Sequence, residues 1–315
     1  MRTGDVMTRE QHLKNLEVPT GCVDAVLDTD TYNEIDDQFA VCYQLLHAER
    51  IRTVGICAAP FLNDLSTSPA DGMEKSYAEL ERLLELLGRP GDRALLHRGS
   101  TSYLPDDGTP VASDAARFLA EKAREYSPER PLYVIAIGAI TNVASAILLA
   151  PEVMRENTVI VWLGGNALHW EGNNEFNLRQ DRAAARVVFD CGAPLVMLPC
   201  AGVVDKFRTT EGELRAHLSQ TSRLCDYLID ATVRAAERYA KGTAWSRVIW
   251  DVTAVAWLLN DGDRFLRSRL IPSPIPNDDG TWSTPADRHL IRYVYDVRRD
   301  TLFTDLFSTL KETKN

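Results

Sequence analysis

Val23-Asp24-Ala25-Val26-Leu27 runs into Asp28-Thr29-Asp30-Thr31-Tyr32-Asn33-Glu34-Ile35-Asp36-Asp37, after which Gln38 to Leu46 turns amphipathic. This stretch decides the fold: a short buried strand, an acidic loop at its exit and a helix leading away. Four aspartates, Asp28, Asp30, Asp36 and Asp37, fall within ten residues. Crowding them at the end of a buried strand is costly in repulsion and desolvation unless a cation or protons neutralise them. Hard oxygen ligands of this kind suit Ca²⁺ or Mg²⁺ better than zinc. One or two of these acids could instead serve the helix start, where free N–H groups and the dipole favour Asp. Four in one loop point to a metal or catalytic site.

Outward from this stretch, β-branched runs alternate with helical spacing. Val23–Leu27, Arg52–Cys57, Ala94–His97, Leu132–Ile137, Thr158–Leu163 and Pro194–Leu198 read as strands. Met73–Leu87, Ala115–Tyr126, Asn142–Leu149 and Arg182–Phe189 read as helices. This alternation predicts an α/β fold with an open, mostly parallel, Rossmann-like sheet flanked by helices. Ligand sites in such sheets lie beyond the carboxyl ends of the strands, which is where the acidic loop falls. Additional C-terminal helices are expected at Glu211–Leu218, Leu224–Tyr239 and Asp251–Leu259, then a strand at Ile291–Val297. The segments Phe61–Asp71 and Ile271–Asp279, rich in Pro and Ser, read as surface loops, the first placed to cover the acidic site. No repeat or linker divides the chain, so a single α/β domain over 1–315 is expected.

With 315 residues and 45% hydrophobic content the chain can bury a large core. A net charge of -10 argues against nucleic acid or an anionic membrane as partner and leaves room for a small neutral or cationic ligand. The six cysteines include no C-x-x-C pair and mostly occupy apolar runs, so they read as reduced core residues. Met1 to Glu17 mixes charges and offers no apolar h-region, and no window approaches the ~20 apolar residues of a membrane span. A cytoplasmic location is the expectation.

Four motifs resemble those of the nucleoside hydrolases. That family's first strand runs into an Asp-rich loop ending in two adjacent aspartates, like Asp28 to Asp37. Ile137-Gly138-Ala139-Ile140-Thr141-Asn142-Val143-Ala144 resembles its strand-to-helix turn. Leu163-Gly164-Gly165 followed by Glu175-Phe176-Asn177 resembles its ribose-binding stretch, and Trp250-Asp251 its last metal-ligand segment. The motifs keep the family's order over about residues 23 to 260. The first loop departs from the pattern: the family usually carries Pro-Gly there and is two residues shorter between the positions of Asp30 and Asp36. Asn63 is the nearest counterpart of the family's asparagine after the second strand, while Asn166, Asn173 and Asn174 all lie near the position of another.

The resemblance implies calcium-dependent hydrolysis of the N-glycosidic bond of ribonucleosides by a homo-oligomer, either dimer or tetramer. It places Ca²⁺ on Asp30, Asp37, Asp251 and the carbonyl of Thr141, and assigns substrate binding to Asn63, Glu175, Asn177 and Trp250. A cation on vicinal hydroxyls positions a sugar and acidifies the water beside it, and Asp36 is the expected general base. Glu175 and Asn177 suit the stabilisation of an oxocarbenium-like sugar. Trp250 stands where many members have a histidine, and members selective for purine nucleosides resemble this chain there. Stacking on a purine is therefore expected, with burial in the run Val248-Ile249-Trp250 as the alternative. His169 and Trp170 are further candidates for the base pocket. Two rival readings remain. Asp28-Thr29-Asp30 also fits the Asp-x-Asp of haloacid-dehalogenase-like phosphatases, with Asp28 as nucleophile, Asp30 as acid and Mg²⁺ as ion, and the absent histidine admits a nucleoside-binding protein without turnover.

Overall fold

Hydrophobic alternation along the first strand sets up two core layers. Ala25 and Leu27 pack into one buried cluster and Val26 into the other, on opposite faces of a central sheet. The computed structural model describes residues 7–313, so the first six residues of the charge-mixed N-terminal stretch lie outside the described residues. In chain order the strands are β1 (Val23–Thr29), β2 (Ile51–Ala58), β3 (Leu96–Arg98), β4 (Leu132–Ala136), β5 (Thr158–Leu163) and β6 (Leu195–Leu198). They continue with β7 (Arg208–Thr209), β8 (Arg247–Val248), β9 (Leu266–Pro272), β10 (Ile275–Pro276), β11 (Trp282–Ser283) and β12 (Leu290–Val297). Eight form one sheet in the order β3-β2-β1-β4-β5-β6-β12-β9. Its neighbours are parallel except for the β12–β9 edge pair. The α/β architecture expected from the alternation is the one observed.

Helices cover both faces. Asp36–Leu46, Pro69–Leu86 and Arg299–Leu310 pack on the Leu27 side, and Asp114–Lys122, Thr141–Leu149 and Arg182–Asp190 on the Val26 side. Each fully buried Leu, Val, Ile or Phe contributes about 1.5–3 kcal/mol against exposure, so these layers dominate the stability. Ser68, Ser113 and Ser222 start three helices by accepting the N–H of Asp71, Ala116 and Cys225, a cap worth about 1 kcal/mol each. The loop expected at Phe61–Asp71 consequently ends at Ser68, with Pro69 in the first helical turn.

The Ile271–Asp279 loop needs a larger correction. β9 reaches Pro272, and β10 pairs antiparallel with β11. Pro272, Pro274 and Pro276 mask the strand signal, and Arg267 and Arg269 give β9 the charged character of an edge. Among the described residues no helix is long and apolar enough to cross a membrane.

Candidate active site

From β1 the chain moves to β2 on one side, and from its other neighbour β4 it moves to β5 on the opposite side, so the order reverses between β1 and β4 and a crevice opens at the carboxyl ends of the strands. A cavity of about 310 Å³ occupies this point. Its wall takes Asp30, Asn33, Glu34, Asp36 and Asp37 from the loop after β1, and Ile137 from the turn after β4. It adds Leu163, Glu175, Phe176 and Asn177 from β5 and its exit, Cys200 after β6, and Trp250 and Asp251. Residues more than 200 positions apart thus meet at one place.

The acids are buried and short of partners. Asp36, Asp37 and Asp251 offer carboxylate oxygens that lie within 4.8 Å of one another. Both carboxylate oxygens of Asp30, and Oδ1 of Asp36, are buried without a hydrogen bond. Asp37 accepts from the hydroxyl of Thr29. Neither Asp36 nor Asp37 caps the helix they begin; the cap position is Ile35, with no side-chain bond, which removes the helix-start alternative for this pair as caps. Burial, then the charges of Asp37 and Asp36, push Asp30 well above the usual carboxylate range. Burial and Asp36 push Asp37 and Asp251 the same way. Gly138 lets this packing happen, since a Cβ there would sit 3.0 Å from Asp30 Cγ. Hard oxygens, mutual repulsion and missing donors together form a set that fits a divalent cation.

Asp28 sits behind the wall. Its Oδ1 accepts from Asn142 Nδ2 at 2.8 Å, and the Asn142 oxygen accepts from the Ser100 N–H and hydroxyl at 2.7 and 2.8 Å. Burial pushes its carboxyl up to about 7. An aspartate held this way does not line the cavity, which speaks against Asp28 as a phosphatase nucleophile.

The remaining expected site residues divide. Glu175 lines the cavity, but Oε2 accepts the N–H of Gly165 at 2.8 Å and Leu178 at 2.9 Å, and Oε1 that of Asn177 at 2.8 Å. It caps the helix Phe176–Gln180 and shapes the wall. Asn177 donates its amide to the carbonyls of Leu163 at 3.0 Å and Ile137 at 3.3 Å. Trp250 lines the cavity and also packs, partly buried, against the core. Asn166 and Asn174 reach the wall, whereas Asn173 is buried behind it and accepts the Asn166 N–H at 2.8 Å. Asn63 stands one step back, donating to Asn33 Oδ1 at 2.6 Å. Thr141 begins its helix off the wall, its hydroxyl bonded to Asp181 at 2.7 Å. His169 and Trp170 are exposed and do not line the cavity.

Arg247, Asn33, Glu34 and Cys200 are wall or rim residues that the sequence reading missed. β8 pairs with β7 and holds Arg247 beside the acids of the loop after β1. Its guanidinium pairs with Glu34 and approaches Asp36 Oδ1 at 3.6 Å. No local pattern announces a pair between residues so far apart in the sequence. The one available signal was the loop lengthened by two residues, which carries Glu34.

Residues 25–300 match the sequence model of the inosine-uridine preferring nucleoside hydrolases. The chain is 30% identical to the pyrimidine-specific ribonucleoside hydrolase RihA of Citrobacter koseri, over 68% of this chain and 76% of that protein. It is 32% identical to the probable uridine nucleosidase 2 of Arabidopsis thaliana, a match spanning 38% of this chain and only 40% of that protein. A solved structure, the purine-preferring ribonucleoside hydrolase from Gardnerella vaginalis, superimposes with a TM-score of 0.73 at 18% identity, covering 91% of this chain and 98% of that one.

Proposed function

The chain belongs to the inosine-uridine preferring nucleoside hydrolase family, and from that premise we propose that it hydrolyses the N-glycosidic bond of ribonucleosides, purine nucleosides by preference, with Ca²⁺ as cofactor. The observation that carries this reading is the set of buried aspartates facing the cavity with oxygens that no donor satisfies. Asp30, Asp37, Asp251 and the main-chain carbonyl of Thr141 would hold the ion. When bound, the ion supplies charge neutralisation, a binding point for vicinal hydroxyls and a more acidic water.

The protein's own groups do the rest. Asp36 accepts the proton of the attacking water, its Oδ1 taking no hydrogen bond from the protein while the Arg247 guanidinium, 3.6 Å from that oxygen, steadies the carboxylate. Glu175, fixed by three N–H bonds, and the acceptor oxygen of Asn177, whose donors are already used, present negative and dipolar charge to the electron-poor sugar. Asn63 acts through Asn33, holding it at the wall. Trp250 offers a flat face to the leaving base, which is the reason for the purine preference, since the names of the relatives point to both base classes. A homo-oligomer, dimer or tetramer, in the cytoplasm completes the proposal.

The test is release of free base and reducing sugar from inosine, adenosine, uridine and cytidine, with and without a chelator. Chelator-sensitive release, fastest with the purines, is expected. Absence of base release from all four, with intact melting behaviour and added Ca²⁺, would overturn the reading.

A further inference from the structure

A second cavity, of about 370 Å³, lies across the Tyr32–Ile35 loop from the first, between the helices Pro69–Leu86 and Arg223–Ala240. Glu34 belongs to both walls. The floor holds two buried polar side chains, Gln38 and Glu79, 4% and 5% exposed. Gln38 Nε2 faces the Glu34 carbonyl and Glu79 Oε1, each at 3.5 Å. This sets the amide's orientation, because the flipped form would turn its oxygen toward two acceptors. Gln38 Oε1 is left buried without a donor. Glu79 Oε1 also accepts the Tyr227 hydroxyl, while Oε2 takes no hydrogen bond from the described residues. Gln38 Oε1, buried and without a donor, and the neighbouring Glu79 carboxylate, which also feels the charges of Arg82 and Arg234, are the acceptors of this floor.

The rim has the opposite character. Arg82 lies over the Tyr227 ring, 4.3 Å from its centroid. Arg234 and Arg238, one helical turn apart, line the same cavity; Arg234 acts on Glu79 by charge, and neither arginine makes a close ion pair among the described residues. A matching ligand carries N–H donors at one end and an anion at the other. An amino acid has both ends but is far smaller than a cavity in the ~300–1,000 Å³ range of ligand sites.

We propose that this cavity binds a purine mononucleotide, the donor edge of the base on Gln38 and Glu79 and the phosphate on Arg234 and Arg238. Guanine places a ring N–H beside an exocyclic amino group, which answers two neighbouring acceptors. Guanidinium pairs suit phosphate by charge and by their planar donor geometry. The site does not depend on the neighbouring cavity being catalytic.

Calorimetric titration of the full chain with GMP and with inorganic phosphate tests the proposal. GMP is expected to bind, and R234A/R238A to weaken it by at least about tenfold with thermal melting unchanged. Asp30→Asn, which alters only the first cavity, should bind GMP as the wild type does. Phosphate alone binding as tightly as GMP would mean that the floor recognises nothing, and would overturn the assignment. Loss of GMP binding in Asp30→Asn, or its survival in R234A/R238A, would put the nucleotide elsewhere. Either result, or no GMP binding up to millimolar concentration, overturns the assignment, and none of them bears on whether nucleosides are hydrolysed.

Discussion

The two ends of β1 carry aspartates in opposite circumstances. At the amino end, burial alone would raise Asp24, but Arg52 and Tyr126 outweigh it and hold its carboxyl below the usual range. Arg52 Nε donates to Asp24 Oδ1 at 2.6 Å and the Tyr126 hydroxyl to Oδ2 at 2.8 Å. At the carboxyl end, Asp28 has one donor side chain and Asp30 has none, and both are pushed upward by burial. The same residue type on the same strand is thus satisfied by the protein at one end and left wanting at the other. A fold that can pair an acid, and elsewhere does not, marks the unpaired ones as belonging to a ligand.

Breaking the carboxyl end should give the largest effects. Asp36→Asn keeps the shape and removes the proton acceptor, so turnover should fall by about 10²–10⁴-fold while nucleoside affinity stays within a few-fold. Steady-state kinetics beside direct nucleoside titration separate the two, and a variant at wild-type rate would remove Asp36 from the mechanism. Chelation sharpens the comparison through pH. An acid whose folded pKa is raised lets the folded state hold its proton more tightly than the unfolded chain does. Stability is then greatest in acid and is lost as pH rises from the unfolded value, 3.8, toward the folded one, about 7 for Asp28. Asp30, Asp37 and Asp251 shift in the same direction. The melting temperature gained on adding Ca²⁺ to chelated protein should therefore grow between pH 4 and pH 7; a gain that is flat with pH would show that the acids carry no such burden.

Much of this contrast could be read from the chain, because strands buried on both faces leave continuous apolar runs and the acids follow one directly. β5 was legible to the residue, and Asp30, Asp36, Asp37, Asp251, Asn177 and Trp250 do meet at the cavity. The one-to-two-turn helices Arg9–Asn15, Pro151–Asn157 and Phe176–Gln180 are too short to build periodicity, and β9 has an edge strand's mixed pattern. Arg299–Leu310 was legible and overlooked, since Leu302, Phe303, Leu306, Phe307 and Leu310 keep helical spacing. What could not be read was partnership: that Glu175 spends its oxygens on backbone N–H groups, and that Arg247 meets Glu34, 213 positions away.

Trp250 tests the carboxyl end at its rim rather than its centre. Stacking of a base on an aromatic ring contributes about 1–3 kcal/mol, which corresponds to roughly ten- to a hundredfold in catalytic efficiency. Trp250→Ala should lose that much on inosine and clearly less on uridine. Because Trp250 also touches the core, the variant must first be shown to remain folded by thermal melting; equal losses on both substrates in folded protein would end the purine argument.

The smallest effect is expected at the amino end. Asp24→Asn retains the size of the side chain and a hydrogen-bonding oxygen but removes the charge that Arg52 and Tyr126 address. Arg52 is largely exposed, with a side chain 64% accessible, so it can return to water when its partner is neutral. The loss should be about 1 kcal/mol of unfolding free energy, in keeping with a partly exposed ion pair reinforced by one hydroxyl bond. Turnover and the Ca²⁺-dependent rise in melting temperature should be unchanged, since the cavity opens at the other end of the strand. Denaturant unfolding and a kinetic assay on the same preparation read both quantities. If Asp24→Asn instead depressed turnover as Asp36→Asn is expected to, the two ends of β1 would be coupled, and the division between satisfied and unsatisfied acids would no longer separate structure from site.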